Sequence, residues 1–119
     1  MIKRITGPEL KQKLDNKRNL TILEALPAKY YRKAHIPGAI NFPLEDMETL
    51  AAQLLPDKKA EIVVYCANGP CENSEIAARR LEELGYVNVS DYYEGKEEWM
   101  QLGFPVAKGT APFGEGSAA

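Results

Sequence analysis

Two cysteines, Cys66 and Cys71, stand in residues 62–74, where Ile-Val-Val-Tyr leads into Cys-Ala-Asn-Gly-Pro-Cys-Glu-Asn-Ser. Thiol chemistry runs through the thiolate, and a free cysteine, with a pKa of about 8.5, is mostly protonated at neutral pH. A strand, a tight loop and then a helix around such a thiol bring backbone N–H groups and the positive helix end to the sulfur. The residues predict that order. Four β-formers precede Cys66, Gly69 permits a turn, Pro70 stiffens it, and residues 74–85 follow at helical period, closed by Gly85. Asn73 or Ser74 is expected to cap this helix, leaving the other loop amides to face the sulfur. A second reading stays open on the residues alone, because a cysteine ending a core strand packs as a small hydrophobe.

Cys71 follows Cys66 at C-x4-C spacing, so it could act as a resolving thiol through a disulfide or be an unused loop thiol. Other chemistries fit poorly. Cysteine phosphatases need C-x5-R, with Arg gripping the phosphate, whereas Glu72 stands at that position and Arg79 lies within the helix. Two cysteines and the one histidine, His35, have no metal-ligand spacing, so no metal is expected. His35 lies in a Pro/Gly turn and is read as making a structural hydrogen bond rather than acting as a base. Trp99, Tyr92 and Tyr93 read as core or rim aromatics, and Arg79 and Arg80 as a solvated helix face. Glu24 closes an apolar strand and reads as a buried acid in need of a partner.

The elements that must position Cys66 follow from periodicity. Residues 3–5 form a short edge strand at best. Thr6 and Glu9 read as a capping box opening a helix with Leu10 and Leu14 on one face, ending near Asp15-Asn16. Residues 20–24 read as an inner strand and residues 29–33 as one helical turn. Residues 35–43 read as a turn feeding a short strand. Residues 44–55 keep a helical period until Pro56. Residues 87–93 read as a strand, and a short helix near Glu97, Glu98, Trp99 and Met100 stops at Gly103. Strands alternating with helices predict an α/β fold with a parallel sheet, whose ligands bind beyond the carboxyl ends of the strands.

At 119 residues, with a net charge of −2, the chain suits one domain and has no charge bias toward nucleic acid or a membrane surface. The N-terminus lacks the apolar run of a signal peptide, and two cysteines make no disulfide framework, so a cytoplasmic setting is expected. Residues 1–108 are expected to be the single domain, and the small, polar residues 109–119 a flexible tail.

The sequence resembles the single-domain rhodanese-like family of sulfurtransferases over roughly residues 5–109. Ile22-Leu23-Glu24-Ala25-Leu26 looks like the family strand I-D-V-R, and His35-Ile36-Pro37-Gly38-Ala39-Ile40-Asn41 is close to G-H-I-P-G-A-I-N. Val63-Val64-Tyr65-Cys66, with Ser74, Ala77, Ala78 and Leu84-Gly85-Tyr86, looks like the active-site strand, loop and helix. Glu94-Gly95, Trp99 and Gly103-Phe104-Pro105-Val106 resemble the closing G-G-x-x-x-W and G-x-P-V. The resemblance implies a three-layer α/β domain with a five-stranded parallel sheet and helices on both faces. It further implies that Cys66 takes sulfane sulfur as a persulfide, held by the loop of Ala67, Asn68, Gly69, Pro70, Glu72, Asn73 and Ser74. The partners implied are a small-molecule sulfur donor and a thiol or cyanide acceptor, small or on a partner protein, with no cofactor.

The departures bear on the substrate. The family loop C-x-x-G-x-R-S is two residues shorter, Cys71 stands where it has Arg, Leu26 replaces Arg, and Lys96 replaces the second Gly of G-G. The loop has no cation and one acid, Glu72, which predicts weak binding of the thiosulfate dianion. A non-catalytic binding module, or a dithiol redox sensor using Cys66 and Cys71, is the alternative.

Overall fold

Alternating apolar side chains along the central strand set the layers. The computed structural model describes residues 2–16 and 19–109. In β4 (Glu61–Tyr65), Ile62 and Val64 belong to one apolar cluster, while Val63 and Tyr65 belong to the other. A strand buried on both faces is the signature of a parallel sheet covered by helices on each side.

β4 pairs with β2 (Leu20–Glu24) on one side and β5 (Val89–Tyr92) on the other. β1 (Lys3–Arg4) and β3 (Ile40–Asn41) form the edges. The order is β1-β5-β4-β2-β3, and every pairing is parallel. Two helices, α3 (Met47–Leu54) and α4 (Asn73–Glu83), pack Met47, Leu50, Ala77, Ala78 and Leu81 against Leu23, Ile62 and Val64. The opposite face is covered by α1 (Gly7–Asp15), α2 (Ala28–Lys33) and α5 (Gly95–Gln101), through Leu10, Tyr31 and Trp99. This is the three-layer α/β architecture expected from the sequence.

Local signals fix the element ends. Thr6 Oγ1 accepts from the Glu9 amide at 3.2 Å, and Glu9 Oε1 accepts from the Thr6 amide at 2.9 Å, completing the capping box. Gly85 ends α4 at φ +104°, a conformation glycine adopts without a Cβ clash. The helix read at residues 44–55 starts instead as a 3-10 turn, Leu44–Asp46, before α3. Gly109 donates to Arg32 O at 2.7 Å, and the rest of the expected tail, residues 110–119, lies outside the described residues. No helix among the described residues is long and apolar enough to cross a membrane.

Candidate active site at the end of the central strand

Cys66 follows directly on β4. Strand alternation turns its side chain to the α4 face, opposite Tyr65, and the residue is 0% exposed. Its thiol has three acceptors in reach: Cys71 O at 3.4 Å, and Asn68 O and Ser74 Oγ each at 3.8 Å. The backbone N–H of Ser74, in the first turn of α4, also faces the sulfur and favours its anion.

The loop is closed on itself. Cys71 N donates to Asn68 O at 3.1 Å and to Asn68 Oδ1 at 3.2 Å, so this amide is turned away from the sulfur. Of the loop amides expected to face Sγ, that of Cys71 is thus engaged elsewhere, and the carbonyls of Asn68 and Cys71 lie beside the sulfur. The expected cap differs as well. Glu72 occupies the N-cap of α4 with no side-chain cap, and Asn73 Nδ2 reaches across to Ala25 O at 2.9 Å. Ser74 is buried at 1% exposure, with its hydroxyl beside Cys66. Ala67, Asn68, Gly69 and Cys71 are partly buried, while Pro70 and Glu72 are exposed.

From the other side, α5 grips the loop. Lys96 N donates to Cys66 O at 2.9 Å and Glu97 N to Ala67 O at 2.8 Å. This approach requires Gly95, whose φ is +82° and whose place would put a Cβ 2.7 Å from Asn68 N and 2.8 Å from Cys66 O. Asn68 Nδ2 donates to Glu97 Oε2 at 3.2 Å, so Glu72 and Glu97 both border the loop that lacks a cation.

Burial pushes the Cys66 thiol up to about 11, with the neighbouring Cys71 thiol next in effect; the Ser74 N–H and hydroxyl pull the other way. Of the two readings the residues leave open, a thiolate favoured by the helix end and a cysteine packed as a small hydrophobe, burial in this closed loop favours the protonated thiol. Both cysteines are free thiols.

Under the opposite face lies the partner of Glu24 that sequence reasoning did not name. Lys96 Nζ is 3.2 Å from both Glu24 carboxylate oxygens, and Tyr65 Oη donates to Glu24 Oε1 at 2.6 Å. An apolar strand ending in an acid was visible; only the fold pairs it with Lys96, 72 positions on. His35 is buried with Nδ1 2.8 Å from Tyr31 O, and its ring stacks on Tyr31 at 3.8 Å, the structural role expected. Trp99 and Tyr92 are core residues, and Tyr93 is at the rim.

Comparison with known proteins gives a consistent picture. Residues 6–102 match the family described as "Rhodanese-like domain". YrkF of Bacillus subtilis, named as a candidate sulfur carrier protein, is 35% identical over 98 residues, covering 82% of this chain and 51% of YrkF. The thiosulfate sulfurtransferase PspE of Escherichia coli is 38% identical over 61 residues, covering 51% of this chain and 57% of PspE. The chain thus spans about half the length of these curated relatives. Among solved structures, the Alr3790 protein from Anabaena superposes with a TM-score of 0.81 at 29% identity, covering 88% of this chain and 80% of that one.

Proposed function

The chain belongs to the rhodanese-like domain family, and we propose that it is a sulfurtransferase that carries sulfane sulfur as a persulfide on Cys66. The observation that carries the reading is the place of Cys66. It ends the central strand beneath the first turn of α4, with the Ser74 N–H and hydroxyl turned to its sulfur.

In the loading step, Cys66 Sγ gives up its proton and attacks the outer sulfur of a persulfide donor R–S–SH. The donor's S–S bond breaks, R–S⁻ leaves with the electron pair, and Cys66–S–SH forms. In the discharge step, an acceptor thiolate attacks the outer sulfur, the Cys66 S–S bond breaks, and its electron pair returns to Sγ. The acceptor leaves as a persulfide, or as thiocyanate when it is cyanide. Sulfur is passed on without an outside oxidant. Because Cys66 is fully buried, loading needs residues 67–73 to move aside so that the carbonyls of Asn68 and Cys71 release Sγ.

The donor that suits this loop is a persulfide on a small thiol or a protein. Thiosulfate carries two negative charges, and the loop offers it Glu72 and the neighbouring Glu97 with no cation. Cys71 supplies a second exit: its thiolate can attack Sγ of the persulfide, forming a Cys66–Cys71 disulfide and releasing HS⁻, after which an external dithiol reopens the bond.

The test is mass spectrometry of the reduced protein after brief exposure to thiosulfate or to a small-molecule persulfide. One added sulfur on the Cys66 peptide, removed by cyanide, is the expected result. A Cys66–Cys71 disulfide with no retained sulfur would favour a dithiol sensor. No change with either donor would leave a binding module.

A further inference from the structure

Asp91 is the buried acid that the steps above leave unused. It sits on β5 in register with Val64 of β4, and strand alternation turns it with Val89 to the α4 face, the face that holds Cys66. It is 4% exposed, and its Oδ1 is the buried side-chain polar atom without a hydrogen-bond partner among the described residues. The Ser74 hydroxyl faces this carboxylate closely enough to pull its pKa down against burial. Ser74 Oγ is in turn 3.8 Å from Cys66 Sγ. A buried carboxylate oxygen left unpaired is destabilising, so its presence in a packed core asks for a reason.

We propose that Ser74 and Asp91 form a proton relay for Cys66, taking the thiol proton as sulfur arrives and returning it as sulfur leaves. The inference rests on Cys66 being the persulfide carrier. In loading, Cys66 Sγ–H passes its proton to Ser74 Oγ, and Ser74 passes its own hydroxyl proton to the Asp91 carboxylate. In discharge the order reverses. The breaking S–S bond leaves its electron pair on Sγ, Ser74 Oγ–H protonates it, and Asp91 reprotonates Ser74. Ser74 touches the reacting sulfur, whereas Asp91 acts through it as a positioning residue and proton store.

Discharge is the step that needs this help. A thiolate leaves faster the lower its pKa, and burial holds Cys66 at about 11. Asp91 is suited to hold a proton, because burial and then Glu75 raise it above the ordinary carboxyl value, against the Ser74 hydroxyl and Arg4. Beyond Asp91 a cavity of about 230 Å³, lined also by Arg4 of β1 and by Glu75, Arg79 and Glu82 of α4, gives the proton a way to solvent. Arg79 is engaged by Glu75 at 2.8 Å, and the β4 residue in register with Asp91 is the apolar Val64.

The sign of one substitution separates the relay from simple charge repulsion. If Asp91 merely repelled the thiolate, Asp91→Asn would make Cys66 a better leaving group and speed discharge. A relay predicts the opposite. The experiment loads native protein, Asp91→Asn, Ser74→Ala and Ser74→Thr with a small-molecule persulfide. Loss of the added sulfur to a small thiol is then followed by mass spectrometry of the Cys66 peptide between about pH 5 and 9. Per acceptor thiolate present, a proton-donating relay makes the native rate fall with rising pH; Asp91→Asn and Ser74→Ala should discharge at least about tenfold more slowly at the acid end and lose that fall, and Ser74→Thr should restore both. Ser74→Ala removes the bridge by a separate route should Asp91→Asn fold poorly. Discharge at or above the native rate, with an unchanged pH profile in both variants, would overturn the relay and leave the persulfide carrier standing. Absence of a persulfide on native Cys66 would overturn both.

Discussion

Lys96 Nζ and the Glu24 carboxylate meet at 3.2 Å on the sheet face opposite Cys66. The same ammonium donates to Tyr30 O at 3.1 Å and to Ala34 O at 2.7 Å, at the end of α2, while the Lys96 amide holds Cys66 O. One residue thereby joins β2, α2 and the loop that carries the thiol. Its geometry is well satisfied, which is the condition for a buried pair to be tolerated at all.

Removing one partner should therefore be costly in a pH-dependent way. Lys96→Met is expected to lose about 3–5 kcal/mol near neutral pH, because Glu24 is left as an uncompensated buried charge. Burial already raises Glu24 above its ordinary value of 4.5, against Tyr65 and Lys96, and loss of Lys96 raises it further. The folded variant then binds the proton more tightly than the unfolded chain. Its stability is regained as pH falls through the folded pKa and lost as pH rises. Urea unfolding at about pH 5 and about pH 8 should show the smaller deficit at the acid pH; an equal deficit at both would mean that Glu24 stays ionised.

Gly95 makes a sharper test of how the loop is held. Gly95→Ala forces a Cβ to within 2.8 Å of Cys66 O and Ala67 C at a φ of +82°. Backbone atoms cannot yield as a flexible side chain would, so the expected cost is about 1–3 kcal/mol with a displaced loop and impaired loading of Cys66. Gly38 has a similar φ of +86° with open space around it, so Gly38→Ala should cost only the backbone strain and leave loading intact. Thermal unfolding and persulfide yield, measured on both variants, compare the two effects.

What the sequence made legible was local. Thr6 and Glu9 are three residues apart, Gly85 follows its helix directly, and Ile62, Val63, Val64 and Tyr65 declare a doubly buried strand without help from elsewhere. Cys66 stood out because its neighbours in sequence are also its neighbours in space. What stayed hidden depends on distant pairings. Glu24 and Lys96 are 72 positions apart, and Asp91 reaches Ser74 only because β5 lies beside β4. What decides the protonation of Cys66 is hidden for the same reason: α4 and the folded-back loop supply the burial, and no count of loop amides predicts it.

Cys71 should be felt in the titration of Cys66. Its thiol is the second cause, after burial, of the rise to about 11. Cys71→Ala is expected to bring the midpoint of Cys66 alkylation below that of the native protein, yet still above the ordinary thiol range because burial persists. The same variant should retain sulfur on Cys66 longer after loading in the absence of an acceptor, since the intramolecular exit through a disulfide is gone. Alkylation rates across the alkaline range and the lifetime of the persulfide check both halves; a native lifetime in Cys71→Ala would remove Cys71 from the discharge step.

The choice of donor can be moved by charge. Glu72 is exposed at the N-cap of α4, on the loop that covers Cys66, and Asn68 of that loop is held by Glu97. Glu72→Lys changes the loop by two charges without touching a buried side chain, so the fold should be unaffected. For a dianion approaching through water, a change of about 1 kcal/mol is expected, equivalent to a KM for thiosulfate about fivefold lower. An uncharged persulfide donor should respond far less, and added salt should erase the difference within a Debye length of about 10 Å at 0.1 M. Steady-state assays with the two donors at low and high salt make the comparison. If thiosulfate gained nothing from the lysine, the acids at the loop would not be what disfavours it, and the buried position of Cys66 would be left as the barrier to both donors.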